Sequence, residues 1–314
     1  MQTILGATGI IGTELAKALT TYTKDIRLVS RNPQKVNETD QLFSADLLDA
    51  QQTEEAVKGA EIVYLTAGLV YKTSVWKQQW PVVMRNVIDA CKKQGAKLVF
   101  FDNVYMYGPV TGTMTEDTAF NPTSEKGKVR ANIANMLLDE IKNGQLTGMI
   151  CRAPEFYGPG KTLSTLNVMV FQNIEKGKKA QWLLTDTTKR TFIYTPDAAR
   201  ATALLANSPD SWNQTWHLPC DNSFPTGKAF MQMISAAAGH EVKHSVLPRF
   251  MINLIGLFVS PVKEMKELLY QYELDYIFSS EKFKKAFPSF NITSYKEGIA
   301  SILNQKKAAL HGKT

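Results

Sequence analysis

Along the first half of the chain, short apolar runs alternate with longer stretches in which apolar residues recur every three or four positions. The runs cover residues 3–5, 26–29, 62–65, 97–101 and 147–151, with Gly, Asp or Asn punctuating them. Apolar runs of this length, set off by turn residues, predict parallel strands buried on both faces. Between them, Ile11, Leu15, Ala18, Leu19 and Tyr22 fall on one helical face. Trp76, Trp80, Val83, Met84, Val87, Ile88 and Cys91 make a second such face, and Val129, Ile133, Leu137 and Ile141 a third. These stripes read as core-facing. Pro81 predicts a kink or a helix start near that point. Strand–helix alternation implies an α/β fold, a Rossmann-type doubly wound parallel sheet with right-handed crossovers.

The second half is less regular. Gly158-Pro159-Gly160 is a strong breaker, and helical patterns follow over residues 227–239, 251–272 and 294–305. The expected organisation is a dinucleotide-binding domain over residues 1–155 and a smaller, mainly helical substrate-binding part over 156–314. A further strand at 190–194 is expected to rejoin the sheet. The greasiest stretch, residues 250–259 (FMINLIGLFV), is about half of the roughly 20 residues needed to cross a bilayer. It reads as a buried helix.

Composition adds limits. With 314 residues, 44% hydrophobic and 21% charged, the chain is neither collagen-like nor disordered, and it can bury a sizeable core. Cys91, Cys151 and Cys220 are far apart, odd in number and without metal-ligand spacing, so they read as buried reduced thiols and no metal is expected. Met1-Gln2-Thr3 lacks the basic start of a signal peptide, and a cytoplasmic location is expected. The net charge of +7 suits an anionic ligand. Its one dense basic cluster, Lys306 and Lys307 through Lys313, reads as a solvated tail. The expected partner is a small-molecule substrate, with neither nucleic acid nor membrane.

The chemistry begins at Gly6-Ala7-Thr8-Gly9-Ile10-Ile11-Gly12, which follows the first strand and opens the first helix. Glycines at this spacing let backbone amides approach a pyrophosphate at the positive end of a helix dipole. In NAD-binding versions, an acidic residue about 20 positions on holds the ribose 2′-hydroxyl. This chain has Ser30-Arg31-Asn32 there. Either Arg31 holds a 2′-phosphate, which selects NADP over NAD, or it is a surface arginine. Asp46, followed by Leu47, either accepts a bond from adenine or caps a helix. Thr66-Ala67-Gly68 either admits the ribose or forms a plain turn.

At this point the chain resembles the extended and atypical short-chain dehydrogenase/reductase superfamily, in its NAD(P)-dependent epimerase/dehydratase branch. Four ordered segments carry the resemblance. They are the glycine turn; Phe100-Phe101-Asp102-Asn103-Val104-Tyr105-Met106-Tyr107-Gly108; Arg152-Ala153-Pro154-Glu155-Phe156-Tyr157-Gly158-Pro159-Gly160; and Phe192-Ile193-Tyr194-Thr195-Pro196-Asp197-Ala198-Ala199. The resemblance implies a nicotinamide cofactor, a homodimer as a common assembly, and a Tyr-x-x-x-Lys pair in which the tyrosine carries the proton. It also implies that Asn103 lies at the cofactor, and that Tyr71, Tyr107 and Tyr157 line the substrate.

The sequence departs from this pattern at the decisive place. Lys126 stands where the tyrosine belongs and Arg130 where the lysine belongs, still one helical turn apart. Asp102-Asn103 lacks the usual Ser or Thr hydroxyl. Lys126 can donate a proton or stabilise an alkoxide, and Arg130 can bond ribose hydroxyls. Tyr105, Tyr107 or Tyr71 either replaces the missing phenol or packs as a ring in the pocket wall. The expected function is an NADP-dependent oxidoreductase acting on a carbonyl or hydroxyl compound. The alternatives are a sugar-nucleotide epimerase or dehydratase, and a non-catalytic NADP(H) sensor. His217, His240 and His244 read as structural or surface residues.

Overall fold

The computed structural model describes residues 1–160 and 162–311, the last six of them by backbone alone. The basic tail expectation therefore lies outside the described side chains. From the start, the chain forms β1 (Gln2–Leu5), α1 (Ile10–Leu19), β2 (Ile26–Ser30), β3 (Gln41–Ser44), α2 (Ala50–Val57), β4 (Ile62–Leu65), α3 (Thr73–Gln94) and β5 (Lys97–Asp102). Then come β6 (Thr113–Met114), α4 (Glu125–Lys142), β7 (Gly148–Arg152), β8 (Glu155–Tyr157), α5 (Gln172–Glu175), β9 (Ala180–Leu183), β10 (Phe192–Tyr194), α6 (Thr195–Ala206) and β11 (Thr215–His217). The remainder is α7 (Gly227–Ala238), β12 (His244–Leu247), α8 (Arg249–Phe258), α9 (Ser260–Met265), β13 (Ile277–Phe278), α10 (Glu281–Ala286) and α11 (Tyr295–His311).

The chain divides into two compact units. The first comprises residues 1–108, 119–153 and 198–218. It holds a seven-stranded sheet in the order β11-β7-β5-β4-β1-β2-β3, every pair parallel. This is the Rossmann-type α/β sheet the alternation predicts. β1 and β4 run fully buried, as expected of strands covered on both faces. The sheet reverses direction of winding between β1 and β4, where doubly wound folds open a crevice at the carboxyl ends of the strands. The stripe on α3 packs inward as Trp76, Trp80, Val83, Met84, Val87, Ile88 and Cys91, joined by Ile133 and Leu137 of α4. Pro81 neither starts nor ends α3; it sits inside a continuous 22-residue helix.

The second unit comprises residues 109–118, 154–197 and 219–314. Its core gathers Tyr157, Phe171, Trp182, Phe192, Phe230 and Tyr295. Two expectations are corrected here. The run at 190–194 does not rejoin the main sheet: β10 pairs in parallel with β8, and β11 takes the edge beside β7 instead. The edge needs a strand whose partner supplies free backbone groups, and short β8 offers them to β10 first. The second unit is mainly helical, as expected, and three two-stranded sheets (β8–β10, β9–β12 and β6–β13) tie it together. Finally, residues 250–259 are not a buried helix. α8 buries only Ile252 and Gly256, Ile255 is half-buried, and Phe250, Met251, Leu254, Leu257 and Phe258 are exposed. No helix among the described residues is long and apolar enough to cross a membrane.

All three cysteines are buried and unpaired. Burial pushes the Cys151 thiol up to about 12 against a smaller opposing pull from Thr202. Burial also pushes the thiols of Cys91 and Cys220 up. Thiolate is the reactive form, so at pH 8 the native chain should titrate less than one thiol with Ellman's reagent within minutes. All three should react after guanidinium denaturation.

Candidate active site

The bend between β1 and α1 is shaped by close backbone packing. Gly6 has φ +96°, and a Cβ there would lie 2.4 Å from the Ala67 Cα. A Cβ at Gly12 would lie 2.6 Å from the Gly6 carbonyl oxygen. Both positions therefore require glycine for the turn itself. Gly9 differs. It is exposed, in extended backbone, and caps α1 without a side-chain hydrogen bond. Asp49, Ser124 and Thr226 cap α2, α4 and α7 through their side chains, whereas α3, α8 and α10, like α1, start without such a cap. The first intrahelical bond of α1 runs from the Thr13 amide to the Gly9 carbonyl at 2.9 Å. The amides of Ile10, Ile11 and Gly12 are left as the free donors of a helix start. An uncapped helix N-terminus beside an open glycine fits the pyrophosphate of a dinucleotide. Thr8 is exposed at the same bend.

The neighbouring strand ends complete this region. Arg31 is exposed just past β2, and its guanidinium makes no hydrogen bond or ion pair among the described residues. Asp46 is half-buried; its carboxylate accepts from the Leu48 amide at 3.1 Å, closing a turn. The helix cap that the sequence offered to Asp46 belongs to Asp49, which accepts from the Gln52 amide. The Leu47 carbonyl accepts from the Asn86 side chain at 2.9 Å. Thr66 donates its hydroxyl to the Leu5 carbonyl at 3.2 Å, and Ala67 closes over Gly6. Gly68 is exposed, and a Cβ there would meet nothing.

A second cluster forms around the start of α4. Ser124 caps the helix by accepting from the Gly127 amide at 3.0 Å. A Cβ on Gly127 would lie 2.6 Å from the Tyr105 carbonyl oxygen, so this glycine lets the helix settle onto the turn that carries Tyr105. Lys126 follows the cap by two residues and is fully buried. Its ammonium donates to the Thr73 hydroxyl at 2.7 Å and lies 4.7 Å from the centre of the Tyr71 ring. Tyr71 meets Trp76 edge-on, and Trp76 lies nearly parallel to Tyr105 at 6.3 Å. Lys126, Tyr71 and Tyr105, separated in sequence, are thus brought to one place.

Arg130, one turn on, has a different environment. Its Nε donates to the Asp102 carboxylate at 2.7 Å, and its Nη2 donates to the same oxygen. Its guanidinium carbon lies 4.7 Å from the Trp80 ring centre and 4.9 Å from that of Phe100. Two of the five guanidinium N–H donors are thus taken up by an interior carboxylate. Asn103 donates its amide to Asp102 and accepts from the Tyr105 amide, holding the turn.

Asp102, Arg152 and His217 end β5, β7 and β11 as register partners. Arg152 Nε stands 3.8 Å from the second Asp102 oxygen, too far for a hydrogen bond. Its Nη1 donates to the Tyr107 hydroxyl at 2.8 Å, and that hydroxyl is 2.7 Å from His217 Nε2. Two buried guanidiniums thus share one carboxylate. The faces of Tyr107 and Phe120 lie about Arg152 at 5.1 and 4.8 Å and spread its charge. His217, read from the sequence as a structural or surface residue, is buried, and the sheet register brings it to Tyr107. Tyr107 and Tyr157, expected to line the substrate, are both buried. Tyr107 is buried in this network, and Tyr157 packs among Tyr194, Phe230 and Tyr295 in the second unit.

Against known proteins, a model of the NAD dependent epimerase/dehydratase family matches residues 3–217. No curated protein sequence matches the chain. Among solved structures, UDP-glucuronic acid 4-epimerase from Bacillus cereus in complex with NAD is similar, at 16% identity and TM-score 0.78, covering 98% of this chain and 99% of that one. The Thermus thermophilus UDP-glucose 4-epimerase complex with NAD is 18% identical, with TM-score 0.78 and coverage of 98% and 100%. A Thermotoga maritima UDP-glucose 4-epimerase with UDP-glucose is 16% identical, with TM-score 0.79 and coverage of 99% and 100%.

Breaking one side of a buried ion pair costs about 3–5 kcal/mol. Asp102→Asn leaves two buried cations facing each other, whereas Arg130→Met leaves Asp102 beside Arg152. Urea unfolding should therefore show Asp102→Asn as the more destabilised variant, with Arg130→Met losing about 3 kcal/mol. The reverse order would show that Arg152 does not compensate.

Proposed function

This chain belongs to the NAD dependent epimerase/dehydratase family, and we propose that it is an enzyme that interconverts hydroxyl and carbonyl groups on a sugar nucleotide while retaining its nicotinamide dinucleotide. The observation that carries the cofactor is the uncapped start of α1 beside Gly9. Family membership, and neighbours that are UDP-sugar epimerases, support the substrate class.

The proposed roles follow from the residues. Amides of Ile10, Ile11 and Gly12 hold the pyrophosphate, and the exposed Arg31 meets the adenosine ribose. Thr66, Ala67 and Gly68 border the crevice beside the bend. When bound, the nicotinamide takes and returns a hydride at one substrate carbon. Lys126, buried and hydrogen-bonded to Thr73, carries the proton at the substrate oxygen in place of a phenol and steadies the alkoxide charge. Tyr71 and Tyr105 form the wall around it. Asp102 and Arg130 are positioning residues: the pair fixes the turn of α4 that presents Lys126.

A second reading is favoured by one specific feature. No acidic residue stands at the end of β2, and Arg31 makes no bond or ion pair there among the described residues. That arrangement selects a 2′-phosphate and supports a net NADP-dependent oxidoreductase.

Two measurements separate the readings. Incubation with UDP- and dTDP-sugars, followed by NMR, should give an epimer or a dehydrated product with no net change at 340 nm. NADPH loss over a panel of aldehydes, ketones and quinones, with no sugar-nucleotide conversion, would select the oxidoreductase. Cofactor binding without turnover in either assay would leave a sensor. In calorimetry, Arg31→Ala should weaken NADPH about tenfold and leave NADH unchanged. NADH binding as tightly as NADPH in the parent would remove the NADP preference. Lys126→Met should lower turnover by at least about 100-fold while cofactor affinity stays within about threefold; equal activity would exclude Lys126 as the proton carrier.

A further inference from the structure

Arg152 is held by less than its setting demands. It is buried, yet its one hydrogen bond among the described residues runs from Nη1 to the Tyr107 hydroxyl at 2.8 Å. Its Nε and Nη2 are buried without a partner, and so is the second oxygen of Asp102, 3.8 Å from Nε. Nε and Nη2 form the edge of a guanidinium that grips a carboxylate with two bonds. Arg130 uses that same edge on the first oxygen of Asp102. Arg152 Nε lies only about 1 Å beyond an ordinary hydrogen bond to Asp102, where it would compete with Arg130. What ties it elsewhere is Tyr107.

Tyr107 is set in turn by His217. A guanidinium only donates, so the Tyr107 oxygen accepts from Arg152. Accepting that bond polarises the hydroxyl and makes its own hydrogen a stronger donor. His217 Nε2 lies 2.7 Å away, on a ring whose centre is 5.8 Å from that of the tyrosine. The hydroxyl hydrogen goes to Nε2, which leaves the imidazole neutral with its proton on Nδ1. A protonated His217 would instead add a third buried cation to a cluster with one carboxylate. The sheet supplies the alignment: His217 is the register partner of Arg152, and Arg152 that of Asp102.

We propose that Tyr107 and His217 are positioning residues. Neutral His217 takes the Tyr107 hydrogen, Tyr107 retains Arg152, and Asp102 is left to Arg130, which fixes the turn of α4 carrying Lys126. The consequence for turnover rests on the function proposed above; the hydrogen-bond chain does not. Nitrogen-15 NMR of the full chain tests the chain directly. The sequence has four histidines, so comparison with His217→Gln assigns the His217 ring. Near neutral pH it should be uncharged and protonated at Nδ1; an imidazolium, or a ring protonated at Nε2 alone, would overturn the proposal. A crystal structure of Tyr107→Phe should show Arg152 bonded to Asp102 and Arg130 parted from at least one of its bonds. An unmoved Arg152 would overturn the proposal equally. In turnover, Tyr107→Phe and His217→Leu should each lower kcat at least about tenfold, as a misplaced reacting group does, with KM within about threefold. His217→Gln, whose side-chain oxygen also accepts from Tyr107, should keep kcat within about threefold of the parent. Full kcat in Tyr107→Phe, or a folded His217→Gln as impaired as His217→Leu, would remove the positioning role. A parent inactive on every substrate class would count against the proposed function alone, with the NMR and crystal results still deciding the arrangement.

Discussion

One buried carboxylate organises the carboxyl edge of the sheet. Asp102 takes two donors from Arg130 and faces Arg152 across adjacent strands. An isolated charge in such a place would be costly, so the residues around it are constrained together. Arg130 lies against Trp80 and Phe100, Trp76 lies against Tyr105, and Tyr71 covers Lys126. The course of α3 and α4 over β5 is therefore tied to the same few contacts that set the candidate proton carrier. In this chain two cations one helical turn apart are held on different partners: Arg130 on the Asp102 carboxylate, Lys126 on the Thr73 hydroxyl and against the Tyr71 ring.

The dinucleotide bend obeys a separate constraint. Gly6 and Gly12 are dictated by distances within the protein, and they would be glycine in this fold with or without a ligand. Gly9 has no such internal requirement, since the nearest neighbour of a Cβ there is the Gly6 carbonyl oxygen at 3.4 Å. The free amides and the absent side-chain cap are what distinguish a ligand-binding turn from a merely tight one.

The second unit is held differently. Its centre is a set of rings, with Tyr157, Phe192, Phe230 and Tyr295 meeting at 5.2 to 6.3 Å. Beside it, Arg190 is fully buried, donates to Glu155 at 2.9 Å and lies 4.0 Å from the Tyr272 ring centre. Glu155 also accepts from the Tyr272 hydroxyl at 3.1 Å. These contacts leave α8 fastened mainly through Ile252 and the Lys266 crossing, so its outer face takes no part in the core.

The sequence by itself determined the parallel sheet, the three core-facing stripes and the glycine bend, because each is written in local periodicity or in a turn that only glycine can make. It also placed Lys126 and Arg130 one helical turn apart on α4. Tertiary structure alone decided what those two cations touch, because Thr73, Tyr71, Asp102 and Trp80 arrive from distant segments. It decided likewise that 215–217, rather than 190–194, closes the sheet edge, since apolar runs carry no address for their partners. The outward face of α8 belongs to the same class: hydrophobicity predicts burial only when a neighbour is present to cover it, and the sequence does not say whether that neighbour lies within the chain.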